Sequence, residues 1–336
     1  KRHGFYYKTF MGIPPFEWGR GTKIWMFYEK FIRKAAGMGR ASRAADPDKY
    51  EHAHDFCDVL VIGAGISGII AAKIAAKNNF KTLLVDEKNE LGGSTIYQNS
   101  DFFKIQNKKS SDWLKNEINE IKKLSNLEIK TRTCVAAFHD YNYLLARENL
   151  TDHLNNDEKK KKVRQRLLKI RAKNVIIATG SIERPLVFNN NDRPGIMLSS
   201  AVKKYANYYG VVCGKKTILS TNNDSAYESA ISLNKKGINV ESIIDIREKS
   251  DSELVKEVEK IGIKIYWSHT VVNTHGYKRL KEITIMQLSK NSKSVIEKKI
   301  NIKCDCLAIA GGWTPAVSYT HLRAHETEAD LVCRLR

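Results

Sequence analysis

Several things are scarce in this chain of 336 residues, and each scarcity removes a class of function. Its six cysteines, at 57, 134, 213, 304, 306 and 333, include no C-x-x-C pair. That excludes a zinc framework by ligand spacing and a disulfide-stapled secreted scaffold, and it fits a reduced, cytoplasmic protein. No apolar run approaches the roughly 18 residues a membrane span needs, since the best, Ile69 to Ala76, is interrupted by Lys73. No signal-peptide pattern opens the chain. It starts at Lys1 rather than Met and is read as a fragment. Acidic residues are short: 37 Asp and Glu face 57 Lys and Arg, a net charge of +20. Such an excess raises a nucleic-acid partner. The lysines, however, are spread along the chain, and the one dense cluster (Lys159 to Lys162, Arg164, Arg166) reads as a solvated hairpin loop, so no nucleic-acid role is assigned.

What is present is a two-domain α/β pattern. Residues 1–55 form an aromatic opening arm and an amphipathic helix over Ile24 to Ala36, read as a docking segment. Cys57 to Ile62 is a continuous apolar strand of the kind buried on both faces of a parallel sheet. It runs into Gly63-Ala64-Gly65-Ile66-Ser67-Gly68, a G-x-G-x-x-G loop, and then an Ala-rich helix. In such a loop the first glycine makes the turn, the second admits a pyrophosphate to the backbone, and the third lets helix and strand approach. The helix start offers unbonded N–H groups and a positive dipole end. A second apolar strand, Thr82 to Val85, ends at Asp86, whose carboxylate is placed to accept from both hydroxyls of an adenosine ribose and to disfavour a 2′-phosphate. Gly92-Gly93 follows, and Lys173 to Gly180 is a further buried strand ending in Ala178-Thr179-Gly180.

The expected layout is a Rossmann-like FAD/NAD(P)-binding domain, residues 56–186 plus 304–317, interrupted by a smaller dinucleotide-binding-like domain over 187–303. Antiparallel strands are expected at Leu127–Phe138, Tyr141–Arg147 and Val163–Arg171. Cys304-Asp305-Cys306 is read as one apolar strand returning to the first sheet with both thiols on one face. In the second domain the turn Thr221-Asn222-Asn223-Asp224-Ser225-Ala226 has no glycine. Its side chains obstruct a phosphate, Asp224 repels an anion, and Asp224 or Asn223 reads as a helix cap, so this unit is a scaffold. Arg184 and Arg193 are open to two readings, an anion site or a proline-fixed connection. The histidines at 139, 153, 269 and 275 show no metal spacing or catalytic partner.

GAGISG, the ELGGS after Asp86, the ATG strand end and the late GGW resemble the two-dinucleotide-binding-domain flavoproteins. RHGFYYKTFM, AAGMGRA, DPDKYEH, IERPLVFNNNDRPGIMLSSAV and TNNDSAY resemble, more narrowly, the alpha subunits of heterotetrameric sarcosine oxidases. The resemblance implies a subunit of an enzyme that oxidatively demethylates N-methyl amino acids. It implies NAD on this chain, FMN shared with a beta subunit, and gamma and delta subunits as further partners. Carried over by position, the NAD contacts are Ser67 in the loop, Asp86, Glu87 and Lys88 at the strand end, Ser94 after Gly93, and Val135 beside the adenine. Alternatives are a self-contained FAD/NAD(P)H-dependent oxidoreductase, with FAD in the first loop, and the alpha subunit of a related amino-acid or opine dehydrogenase complex. No catalytic residue or metal ligand is assigned. From Ser318 onward the chain departs from the family, and 318–336 is read as a non-native tail.

Overall fold

The computed structural model describes residues 23–37, 45–98, 103–155, 162–289 and 294–316. The opening arm before residue 23 and the tail from 317 lie outside the described residues, as does most of the lysine cluster. Two compact units divide the chain, residues 1–48 and 49–336. In the first, α1 (Lys23–Ala35) is the expected amphipathic helix, with Phe27, Tyr28 and Phe31 exposed and their rings packed edge to face.

The second unit opens with β1 (Lys49–Ile62), α2 (Ile66–Lys77), β2 (Thr82–Val85), a 3-10 turn (Gly93–Tyr97) and a small hairpin of β3 (Lys104–Ile105) and β4 (Lys108–Lys109). Then come α3 (Ser110–Ile121), β5 (Leu127–Lys130), β6 (Thr133–His139), β7 (Tyr143–Asn149), β8 (Val163–Ile177) and β9 (Ser181–Glu183). The remainder is β10 (Ile196–Leu198), α4 (Ser199–Tyr208), β11 (Thr217–Thr221), α5 (Ser225–Lys235), β12 (Val240–Asp245), α6 (Glu253–Lys260) and β13 (Lys264–Trp267). It closes with β14 (His269–His275), β15 (Glu282–Leu288), β16 (Val295–Lys303), β17 (Cys306–Ala310) and β18 (Trp313–Pro315).

Six strands form the first sheet in the order β5-β2-β1-β8-β7-β6. The first four run parallel, and β7 and β6 extend the sheet antiparallel. Val59 and Val61 pack with Ile69, Ala72, Ala75 and Ala76 of α2, small residues that let helix and sheet approach. Leu60, Ile62, Leu83 and Val85 share a second cluster with Val135, Phe138, Leu144, Leu168 and Ile170. Three expectations change here. The first strand begins at Lys49, so the end of the 1–55 segment belongs to this sheet. Val163–Arg171 and the following apolar run are one 15-residue strand, held in register along β1. Leu127–Lys130 pairs parallel to β2 and is separate from β6.

The second sheet, β10-β17-β11-β12-β13, is wholly parallel. Helices α4, α5 and α6 cover one face through Val202, Tyr227, Ile231 and Val258. The antiparallel sheet β14-β15-β16 covers the other through Val271, Ile283 and Ile285. Residues 304–317, expected in the first domain, thus place β17 between β10 and β11 of the second sheet. An apolar strand followed by glycines specifies burial on both faces, which either sheet supplies equally. One strand later β18 pairs antiparallel with β9 in a separate two-stranded sheet, and Ala316 N donates to Gly180 O at 2.9 Å, beside the end of β8. The two thiols also separate. Cys304 packs with the antiparallel sheet and Cys306 with the helices, so they do not share a face.

Candidate nucleotide-binding site

Four chain segments converge where the parallel strands of the first sheet end. Ile62 O receives Ala178 N at 2.8 Å, which brings the Ala178–Gly180 end beside the glycine loop. Gly92 N donates to Ala64 O at 2.7 Å, and Gly93 lies so near that a methyl on it would sit 3.0 Å from Gly65 Cα. Thr133 N donates to Asp86 O and Arg132 N to Lys88 O, both at 2.8 Å, closing the edge beside the start of β6. This is the carboxyl-end crevice where open α/β sheets bind nucleotides.

The three loop glycines are there for different reasons. A Cβ on Gly63 would meet Ala178 O at 2.4 Å, and one on Gly68 would meet Gly63 O at 1.8 Å. Nothing lies within 4 Å of a Cβ on Gly65, which leaves open space at the start of α2. Gly65 is also the cap residue of that helix and supplies no side chain to its first amides. An open cradle facing unbonded amides and a positive helix end fits a pyrophosphate. Ala64 and Ile66 bracket it, Ala64 buried and Ile66 half-buried, and Ser67 is exposed on the first turn.

Asp86 does more than the spacing implied. Its carboxylate is buried, with Oδ2 accepting from Ala64 N at 2.6 Å and Oδ1 from Lys88 N at 2.8 Å. The side chain therefore pins the glycine loop to the strand end, and a ribose would use the remaining lone pairs. Glu87 and Ser94 are exposed at the rim, and Lys88 contributes its backbone to the turn. Val135 is 3% exposed and its side chain belongs to the core, so what it can offer an adenine is backbone. Thr179 spends its hydroxyl on Ala316 O at 2.9 Å, while Gly180 is exposed with φ +74°.

The counterpart turn, after β11 of the second sheet, is closed by its own side chains. Asp245 ends β12 as Asp86 follows β2, yet it is fully buried and accepts from Tyr227 Oη at 2.8 Å and from Arg247 N at 2.9 Å. The Arg247 guanidinium reaches both Asp245 and Asp224 at 2.8 Å. The hydrogen bond to Asp245 pushes Arg247 above its usual range, and burial followed by Asp245 pushes the Tyr227 phenol up. Asp224 stands at the cap position but makes no cap bond, because its charge is spent on Arg247; Asn223 Oδ1 takes the helix-start amide of Ser225 at 3.0 Å instead. Arg193 serves the connection, donating to Gly276 O and to Thr274, whereas Arg184 is exposed beside Gly311 and Gly312.

One cluster left no trace in the sequence pattern. Lys203 of α4, 5% exposed, donates to Gln98 Oε1 at 2.7 Å and Glu228 Oε1 at 3.1 Å. Asn207 donates to Tyr97 O at 2.9 Å. Together they tie the turn that follows Gly92-Gly93, and so the wall over Gly65, to the helices of the second sheet.

Residues 60–332 match the family described as pyridine nucleotide-disulphide oxidoreductase. The chain belongs to that family. The match runs past Val317, where the sequence reading placed a break. Among curated relatives, the chain is 35% identical over 329 residues to "Sarcosine oxidase subunit alpha" of Rhizobium meliloti (strain 1021), covering 96% of this chain and 30% of that one. It is 35% identical over 283 residues to the protein of the same name from Corynebacterium sp. (strain P-1), covering 84% and 29%. The chain thus spans about a third of the length of these relatives. Among solved structures, thioredoxin reductase of T. acidophilum aligns with TM-score 0.58 at 18% identity, over 78% of this chain and 79% of that one. L-proline dehydrogenase from P. horikoshii aligns with TM-score 0.55 at 22% identity, over 83% and 46%. These likenesses confirm the Rossmann-like FAD/NAD(P)-binding fold.

Unlike its name, this family member shows no built disulfide chemistry among the described residues. Cys57, Cys134, Cys213, Cys304 and Cys306 are all free. Burial pushes the thiols of Cys57, Cys304 and Cys306 up to about 12, the reverse of a reactive thiolate. The described residues hold no cluster of metal-ligating side chains, and no described helix is long and apolar enough to cross a membrane.

Proposed function

We propose that this chain is the nucleotide-binding alpha subunit of a multi-subunit, flavin-dependent amine oxidase that demethylates sarcosine. NAD occupies the Gly63–Gly68 crevice, its pyrophosphate over Gly65 and its ribose at Asp86, with Ser67, Glu87, Lys88 and Ser94 at the rim. A bound flavin supplies the acceptance of electrons from the amine. FMN is shared with a beta subunit, and gamma and delta subunits complete the assembly. The observation that carries this reading is the contrast between the two nucleotide turns: Gly65 faces open space, while Arg247 fills its counterpart. A self-contained reductase needs a hydride donor bound at the turn of the second sheet, and that turn is filled by Arg247, Asp224 and Asp245. The likeness to the two curated alpha subunits, over most of this chain, supplies the substrate class.

The test is peroxide release with sarcosine, for this chain alone and for the chain co-expressed with the partner subunit encoded beside it. Activity is expected only in the second case. Turnover by the lone chain would overturn the subunit reading. Silence in both, with the complex formed, would replace sarcosine by another substrate, as in a related amino-acid or opine dehydrogenase complex.

A further inference from the structure

The antiparallel half of the first sheet has two unlike faces. Alternation along β1 sends Glu51, Ala53, Asp55 and Cys57 to one side and Tyr50, His52, His54 and Phe56 to the other. On the first side Arg166 joins Glu51 and Glu148, and Leu144, Leu168 and Ile170 are core. The second side is open. Register carries it across the neighbours: His54 lies opposite Lys169 and Phe56 opposite Arg171. On β7, Arg147 is opposite Leu167, Leu145 opposite Lys169, and Tyr143 opposite Arg171. The Arg171 guanidinium sits 5.2 Å over the Tyr143 ring, and the His139 ring centroid lies 5.9 Å from that ring, which places all three on one surface.

The composition of that surface is one-sided. Arg147, Lys169 and Arg171 are joined by His52, His54 and His139, and Asp58 at the end of this face is the one Asp or Glu of β1, β6, β7 or β8 that alternates to this side. Phe56 is 63% exposed at its centre line. Beside Phe56 a cavity of about 340 Å³ is lined by Lys81, Arg171, Lys173 and Asp58. Asp58 is already neutralised, taken by Lys173 at 2.7 Å and by Lys81 N at 2.9 Å. A large exposed aromatic beside a cavity and within uncompensated positive charge is the makeup of a docking surface.

We propose that this basic sheet face docks an acidic surface of a separate protein subunit, with an apolar side chain of that partner seated in the cavity beside Phe56. The inference rests on the multi-subunit reading and names the face it uses. Charge selects the occupant: the chain's own first 22 residues carry Lys1, Arg2, Lys8 and Arg20 against Glu17 alone, and so are no complement. Nucleic acid fits less well. Tyr50 and Phe56 stand six residues apart on one strand, roughly 20 Å at the usual rise, and Arg171 covers Tyr143, so no row of rings is spaced for stacked bases.

The experiment measures affinity of the full chain for the subunit encoded beside it, at low and high salt. The triple variant Arg147→Glu/Lys169→Glu/Arg171→Glu is expected to bind about tenfold weaker or worse and to lose most of the salt dependence. Phe56→Ala is expected to weaken binding about fivefold or more with the salt dependence intact. A control reversal beside the second sheet, Lys236→Glu/Lys256→Glu/Lys260→Glu, should bind as wild type. Unchanged NAD affinity and circular dichroism establish that the variants are folded. A complex indifferent to the triple variant overturns the docking face and leaves the multi-subunit reading standing; no complex with wild type overturns both. Labelled poly(U) bound by wild type and lost by the triple variant, with subunit binding unchanged, overturns the protein partner in favour of nucleic acid.

Discussion

A single methyl group separates two kinds of glycine in the first loop. On Gly68 it would lie 1.8 Å from a backbone carbonyl that has nowhere to go. Gly68→Ala should therefore destabilise the whole protein, by about 1–3 kcal/mol or more, as overpacked backbone contacts do. On Gly65 the methyl meets only open space, and the backbone there, φ −73°, suits alanine. Gly65→Ala should keep its melting temperature while NAD affinity falls about tenfold, or about 1.4 kcal/mol, because the methyl stands where the pyrophosphate must approach. Thermal melts and calorimetry with NAD separate the pair. A Gly65→Ala protein that binds NAD as wild type does would remove the cradle from this crevice.

At the scale of elements, the sealed turn makes a graded prediction. Asp245 has no exposure, so Arg247→Met leaves a buried carboxylate with only the Tyr227 hydroxyl and one amide. Breaking a buried pair in this way costs about 3–5 kcal/mol. Asp224→Ala removes the outer partner, whose side chain is 39% exposed, and should cost under about 1 kcal/mol. Urea unfolding of the two variants checks the order, and equal losses would mean Arg247 is not the strut described. The sequence announced that this turn lacks glycine but not what fills it, since Arg247 lies 23 positions from Asp224. The first βαβ unit was legible because its signal is local: an apolar strand, a glycine loop, a helix and an acid follow one another. Asp86 was found by spacing, yet its bonds to Ala64 and Lys88 were not, because amide partners depend on the fold of the turn. The location of β17 was misread for the opposite reason. Its pattern was clear, but pattern does not say which sheet a strand joins. Lys203 and Gln98, 105 positions apart, had no signal at all.

For the whole molecule the sensitive point is where the chain crosses between sheets. Glu183 ends β9, pairs with Trp313 of β18 and is 4% exposed. Its carboxylate accepts from Ser200 N at 2.7 Å, yet burial outweighs that bond and the neighbouring Lys203 and pushes its pKa up. The folded protein then holds this proton more tightly than the unfolded chain. Stability from this group is full below the ordinary glutamate range and is lost as pH rises through the raised folded value. Glu183→Gln stays neutral and can still accept from Ser200, so its melting temperature should match wild type in acid and exceed it near neutral pH. A variant less stable than wild type at neutral pH would show that the charged form is the one the fold favours.

The place of β17 also sets an order in time. It lies between β10 and β11, although over 80 residues of chain separate it from either. While the polypeptide leaves the ribosome, the first nucleotide crevice acquires its loop and acid by residue 86, but the second sheet stands with the strand between β10 and β11 missing until residue 310 emerges. During that interval β11 presents an unsatisfied apolar edge, a template for pairing with another nascent chain. A cell making this protein must shelter that gap, and any shortened message ending before the codon for Cys306 yields a second sheet that never closes.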